Sequence, residues 1–391
     1  MTGTGTQASL RALSRLVKKS FLMLGEADTR YHVHELLRQY GAEKLSEKKE
    51  VSSVRDRHCA FFCGALERWL PELSGPRQLV ILDEIEADIE NVRVAWELAA
   101  NQRDVTRLGQ GLGSNVKYYW RRSRHYDALA VCQVAIDALA QVDPTSKVFP
   151  DALRVAASAL TVQAQNYLPL GHKTLAKSAL ERGEELLGSP ALVNCDTRPE
   201  RAHLLHVMGQ AVMPNLEQAR RLHEQSLSLR RALGDRATEA WSLTYLAGIC
   251  LREGDLPGAK QLCQESLALF RAEENIGGIS DGLRFLGQVA IHSGNYPEAQ
   301  RLFGENLALS KETGSQTWEL ETLVMLAQVH QEYGDYEAAR EGYEASLSLS
   351  RLVQGSLIET EILLFLGSLA MDRYNCDEAE RRFSEALTLS Q

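Results

Sequence analysis

The last third of the chain repeats itself every 40 residues without an insertion. Each unit has a leucine followed by a small residue, then a turn, then an alanine and a second leucine. These positions are Leu246-Ala247, Leu286-Gly287, Leu326-Ala327 and Leu366-Gly367; Gly254-Asp255, Gly294-Asn295, Gly334-Asp335 and Tyr374-Asn375; Ala259, Ala299, Ala339 and Ala379; and Leu267, Leu307, Leu347 and Leu387. Such a repeat predicts a solenoid, in which each unit buries its apolar face only against its neighbours. Solenoids offer extended surfaces, so the pattern favours binding over catalysis.

Within a unit, the apolar spacing indicates two helices joined by a short turn. From Trp241 to Glu253 the apolar residues recur at helical intervals, and a second helical series follows the turn. Gly254 supplies a left-handed residue that ends the first helix, and Asp255 caps the next one. Each unit is therefore predicted to be a helical hairpin.

The sequence pattern of these hairpins resembles the tetratricopeptide repeat, in which Leu-Gly precedes Ala-x-x-x-Phe. Leu286-Gly287 with Ala299 and Phe303 matches it in full. Two further matches are Leu366-Gly367 with Ala379 and Phe383, and Leu326-Ala327 with Ala339 and Tyr343. The family repeat is about 34 residues long, whereas these units run to 40 and lack its closing proline. The resemblance implies an all-α fold, a right-handed superhelical solenoid.

Upstream of the clear units, the 40-residue spacing becomes less regular but stays recognisable. Ala219 with Leu227, Ala176 with Leu180, and Ala128 with Cys132 look like earlier second helices. We therefore predict an array over residues 109–391, with clear units at about 240–391 and degenerate ones before them.

The N-terminal region has a different pattern, with a helix predicted from Arg30 through Leu45. Around Val33-His34-Glu35 it resembles the end of the winged-helix domain in signal-transducing ATPases with numerous domains, the STAND group of AfsR-like and MalT-like bacterial regulators with NB-ARC-type cores. The resemblance implies a partial winged helix over residues 1–48, a helical linker over 49–108, and a nucleotide-sensing role for His34. A plain helix with a partly exposed histidine remains the alternative.

Composition narrows the partners. A net charge of −9 over 391 residues does not favour nucleic acid as a partner of this chain alone. The seven cysteines are scattered and lack a Cys-x-x-Cys pair, which is typical of reduced thiols in the cytoplasm. No apolar run is long enough to span a membrane. We therefore expect a cytoplasmic protein.

Catalytic and metal signals are weak. Leu79–Glu84 has the shape of a Walker B strand, but its apolar residues continue at helical period and no phosphate-binding Gly-x-x-x-x-Gly-Lys-Ser/Thr run exists. Cys59 and Cys63, with His58, are better explained as core, and His203 with His206 lacks further ligands. The sequence therefore predicts no enzyme, no metal and no cofactor in this chain; ATP or ADP would enter only through an attached ATPase domain.

The first helix of each hairpin is expected to line a concave groove. The outward-facing positions of that groove are Tyr245, Arg252, Arg284, Gln288, His292, Gln328, Glu332, Phe365 and Asp372. Such a mixture suits an extended peptide, a protein partner or a small effector, and self-association is left open. We expect the C-terminal sensor part of a STAND-type signal-transduction or transcription regulator, without its P-loop ATPase core. A stand-alone scaffold for protein assembly is the alternative.

Overall fold

The structure is a computed structural model that describes residues 3–24, 31–213, 215–352 and 356–389. It divides into two compact units, residues 1–62 and 63–391. The first unit contains two short antiparallel strands and helices on either side of them. Its elements are α1 (Gly3–Lys18), β1 (Leu22–Leu24), β2 (Tyr31–Val33), α2 (Glu35–Glu47) and the first part of α3 (Val51–Glu72).

The predicted helix from Arg30 begins later than expected. Arg30 lies outside the described residues, and Tyr31–Val33 is a strand whose Val33 pairs with Leu22. His34 has extended backbone angles, and its Nδ1 accepts the Leu36 amide at 3.3 Å, so α2 starts at Glu35. The predicted start is wrong because the backbone groups of Tyr31–Val33 are paired with the opposite strand and not within a helix.

The second unit is all-α in its described part. After α3 come α4 (Gln78–Ala87) and α5 (Ile89–Asn101), so the Walker-B-like stretch is helical, as its period predicts. Seven hairpins follow. They are α6 (Val105–Arg121) with α7 (His125–Leu139), α8 (Phe149–Tyr167) with α9 (Lys173–Leu187), α10 (Arg198–Ala211) with α11 (Leu216–Leu233), α12 (Arg236–Glu253) with α13 (Leu256–Ala272), α14 (Ile276–His292) with α15 (Tyr296–Glu312), α16 (Gln316–Tyr333) with α17 (Tyr336–Leu352), and α18 (Ser356–Asp372) with α19 (Cys376–Leu389). A short 3₁₀ turn, Pro190–Leu192, lies between α9 and α10. The predicted solenoid is confirmed.

Helix boundaries from α11 onward recur every 20 residues wherever the structure describes them. Each of these seven described boundaries combines a left-handed residue with a capping side chain directly after it. The left-handed residues are Gly234, Gly254, Glu274, Gly294, Gly314, Gly334 and Tyr374. The caps, each accepting the amide three residues ahead, are Asp235, Asp255, Asn275, Asn295, Ser315, Asp335 and Asn375. The side chain satisfies one of the amides that every helix start leaves unpaired, so the turns themselves fix the register.

The small residue and the aromatic residue of the repeat form one packing motif. A Cβ placed on Gly287 would lie 2.4 Å from the Phe303 ring, and one on Gly367 would lie 2.3 Å from the Phe383 ring. The glycine therefore lets the ring approach the first helix, and Phe303 is fully buried. Aromatic rings bury a large apolar area at such contacts, which explains why the two positions occur together.

Candidate binding groove

A cavity of about 720 Å³ opens along the first helices of the first five hairpins. We call it the groove cavity. It lies between the C-terminal parts of α6, α8, α10, α12 and α14, and α11 contributes one side chain. The first helices thus form the wall, as the repeat pattern predicts.

Five of the nine predicted groove residues line this cavity. They are Tyr245, Arg252, Arg284, Gln288 and His292. Their spacing on α12 and α14 follows the repeat register, which is why sequence alone could group them. Their role as a binding site remains a prediction.

The other four predicted residues lie on α16 and α18, outside the groove cavity. Phe365 stacks on Tyr343 at 5.6 Å between ring centroids and packs against the core. The Asp372 carboxylate accepts the Gln331 amide at 2.6 Å. Gln328 is half-buried and Glu332 is exposed. The structure does not bring these four together with the cavity residues.

Sequence reasoning missed several residues of the cavity wall. They are Trp120, Gln165, Gln210, Met213, His223 and Phe285. Most belong to degenerate hairpins, where the register is too weak to assign faces. One signal was available: Gln210 follows Gly209 as Gln288 follows Gly287. That match would have placed Gln210 in the groove.

A cluster of aromatic rings lies at the wall, and His223 is its centre. A Cβ on Gly209 would lie 2.6 Å from His223 Nε2, so His223 occupies the slot that Phe303 fills in α15. Tyr245 stacks on the imidazole at 5.1 Å, and His206 meets both rings edge-on. His223 is fully buried, and neither of its ring nitrogens has a hydrogen-bond partner in the described part of the chain.

Burial controls the ionisation of this group. Loss of hydration, and secondarily the charge of Arg230, lower the pKa of His203 and of His223 to about 4 and that of His206 well below its ordinary value. Burial also raises the pKa of the Tyr245 hydroxyl to about 12. The histidines are therefore neutral at pH 7, because burial disfavours the charged form.

Two arginines lie on the wall itself. Arg284 donates to Asp281 at 2.8 Å and lies 4.5 Å above the Phe285 ring. Arg252 is exposed, and its guanidinium reaches only the Met213 sulfur, at 3.9 Å, in the hydrogen bonds of the described residues. Among the residues that line the cavity there is no aspartate or glutamate. The wall can therefore offer positive charge beside aromatic surface.

Within the second unit, further contacts connect helices that are distant in the sequence. The Ile276 amide donates to the Ser74 carbonyl at 2.9 Å, and Lys117 donates to the Ser74 hydroxyl. The Arg121 guanidinium lies against Gly277 and 5.8 Å from the Trp318 ring. These contacts connect the first hairpin and the α3–α4 turn to the fifth and sixth hairpins.

The remaining predicted residues do not join the groove cavity. His34 is an exposed helix cap, and its nucleotide-sensing role stays a prediction. Cys59 and Cys63 are fully buried, in agreement with a core role. His203 and His206 lie on α10 behind the wall. The described residues contain no group of three or more side chains that could hold a metal ion.

Comparison with known proteins agrees with this architecture. The family model of the tetratricopeptide repeat matches residues 279–351. Three solved structures are similar over most of the chain. The Rap conjugation gene regulator of plasmid pLS20, in complex with the Phr* peptide, is 11% identical with a TM-score of 0.58 over 84% of this chain and 95% of that one. Aspartyl phosphate phosphatase F from Bacillus subtilis is 10% identical with a TM-score of 0.55 over 85% and 94%.

The third is a signal transduction ATPase with numerous domains from Pyrococcus horikoshii, which has a tetratricopeptide repeat sensor. It is 14% identical with a TM-score of 0.52; the match covers 96% of this chain but only 57% of that protein. At these identities the similarity shows the fold alone: the array is a solenoid of tetratricopeptide-like repeats, a fold typical of protein-interaction modules.

No curated protein sequence matches the chain. Of the helices in the described ranges, none is both long and apolar enough to cross a membrane.

Proposed function

We propose that the array binds an extended peptide segment of a protein partner in the groove cavity. The observation that carries the proposal is the set of amide side chains on the wall: Gln165 from α8, Gln210 from α10 and Gln288 from α14. A glutamine amide both donates and accepts, as does each peptide unit of an extended backbone. The cavity volume of about 720 Å³ lies within the range of ordinary ligand sites.

Aromatic residues between these amides supply apolar contact. Trp120, Tyr245 and Phe285 line the same cavity, and aromatic side chains contribute much of the binding energy at interfaces. The similar Rap regulator was solved with the Phr* peptide, which is consistent with a peptide as the ligand class.

We further propose that the chain is the sensor part of a STAND-type signal-transduction regulator. The resemblance around His34 and the similarity to an ATPase with a repeat sensor support this assignment. ATP or ADP would then bind an ATPase domain, and the helices of 49–108 would link it to the array. Sequencing the coding region upstream of Met1 tests this point: an in-frame phosphate-binding loop is expected, and its absence favours the stand-alone scaffold.

Selection of displayed random dodecapeptides on the full chain tests the groove itself. Peptides that are enriched should bind Gln288→Ala about tenfold more weakly, because the variant loses two hydrogen bonds of ordinary strength. Gln261→Ala, on exposed α13 surface, is the matched control and should bind normally. If no peptide is enriched, or if Gln288→Ala binds as well as the control, the groove assignment is wrong.

A further inference from the structure

The groove cavity differs in charge from the second helices that surround the array. Every arginine of α13, α15, α17 and α19 forms an ion pair with a carboxylate. These arginines are Arg271, Arg301, Arg340, Arg351, Arg381 and Arg382. The net charge of −9 means that carboxylates are abundant enough to pair with every such side chain.

Several basic side chains of the second unit, including Arg252 on the cavity wall, lack this neutralisation. Within the described ranges, Lys117, Arg121, Arg230 and Arg252 form no ion pair with a carboxylate. Arg230 is buried, and its guanidinium donates to the Thr238 carbonyl at 2.6 Å and the Ser242 hydroxyl at 2.8 Å. Both acceptors are neutral, and Asp235 acts on the guanidinium only at longer range.

Burial makes these charges costly. It lowers the pKa of Arg230 to about 10, and with the nearby charge of Arg121 it lowers the pKa of Lys117 to about 8. Arg121 Nε is buried without a hydrogen-bond partner among the described residues. A charge taken out of water is expensive unless it is paired.

Two acidic residues lie near Arg284. Asp281 pairs with Arg284 at 2.8 Å. Glu321 interacts electrostatically with the same arginine, and burial raises the pKa of its carboxyl. Neither residue lines the cavity, whereas Arg252 and Arg284 do. The cavity surface beside these two arginines therefore presents guanidinium groups and no carboxylate.

We infer that the groove cavity selects an acidic peptide, with an aspartate or glutamate side chain placed between Arg252 and Arg284. The guanidinium groups would donate charge-assisted hydrogen bonds to the carboxylate. Trp120, Tyr245 and Phe285 would take an apolar neighbour of that residue. The inference rests on the proposed peptide-binding function and adds the chemistry that the groove recognises.

Selection of the same displayed dodecapeptides on three proteins tests it. On the unmodified chain, at least one position of the enriched peptides should hold Asp or Glu several-fold above its frequency in the input library. On Arg252→Gln this preference should disappear, because the exposed arginine contributes to recognition and not to the core. On Arg221→Gln, which removes the same charge from exposed α11, the preference should persist.

Measuring the affinity of a synthetic peptide from the selection gives a quantitative test. Replacing its acidic residue by the neutral amide should weaken binding to the unmodified chain about tenfold, and by much less to Arg252→Gln, because the two changes remove the same contact. Binding of the acidic peptide should also weaken as salt increases.

The outcomes separate the two proposals. If peptides bind in a Gln288-dependent manner but without an acidic preference, the inference is overturned and the proposed function stands. An acidic preference that Arg252→Gln and Arg221→Gln share equally also overturns it, since the charge would then act at a distance. If no peptide is enriched, both proposals fail.

Discussion

The four hairpins of residues 236–389 and the three hairpins of residues 105–233 form one array but follow different rules. In the described turns of the later hairpins, caps and left-handed residues recur every 20 residues, and the slot four positions after the repeated alanine holds Phe303, Tyr343 and Phe383 in three of four cases. In the earlier hairpins that slot holds Cys132, Leu180 and His223. The earlier hairpins also supply seven of the sixteen residues that line the groove cavity.

The comparison separates positions where the repeat pattern stabilises the fold from positions where the sequence departs from that pattern. Phe303 and His223 occupy the same slot against Gly287 and Gly209, and both are fully buried. Phe303 contributes only apolar contact, whereas His223 carries two unpartnered ring nitrogens next to Tyr245. Departures from locally favourable choices are expected where a site is built, and here the departure adjoins the cavity.

The largest expected effect is the loss of stability when the side chain in each slot is replaced by alanine. Phe303→Ala should lower the free energy of unfolding by about 3–5 kcal/mol, because it leaves a cavity in the core. His223→Ala should cost clearly less, since it also removes two buried polar atoms without partners. Urea unfolding followed by circular dichroism measures both. Equal losses would mean that the two slots are energetically equivalent and would remove the contrast.

The same contrast explains which parts of the fold and of the candidate site the sequence could predict. The 40-residue register predicted the hairpins, their turns and five cavity residues, because Gly254 and Asp255 are local signals. It could not place Trp120 or Gln165, whose helices keep no common register. His223 keeps the 40-residue register of Ala219, but a histidine in the aromatic slot does not by itself indicate a site. The helix start at Arg30 failed for another reason: pairing between strands depends on a distant segment.

The second prediction uses pH to compare the slots. The pKa of folded His223 is about 4 against an ordinary value of 6.5, so between these pH values only the unfolded chain takes up the proton. Stability therefore falls as the pH drops through that window, by about 3 kcal/mol for this residue. His223→Phe should reduce the dependence of unfolding free energy on pH by this share, while His203 and His206 keep theirs, and Phe303→His should introduce such a dependence at the other slot.

Unchanged slopes in both variants would show that the buried histidine does not govern acid sensitivity. A slope that decreases in His223→Phe but does not arise in Phe303→His would instead locate the effect in the environment of Arg230, whose charge contributes to the shift in the pKa of His223.

The smallest effect concerns the caps. Asp255 accepts the Gly258 amide at 3.0 Å, whereas His172, at the start of α9, makes no capping hydrogen bond through its side chain. Asp255→Ala should cost about 1 kcal/mol, and Asp255→Asn, which keeps an acceptor, should cost less. His172→Asp should in turn stabilise the chain by a fraction of that amount, because α9 starts with an unfilled cap. Thermal unfolding of the three variants measures these shifts. If His172→Asp gives no gain while Asp255→Ala gives the loss, the start of α9 is constrained by its packing rather than by its cap, and the two halves differ in more than their turns.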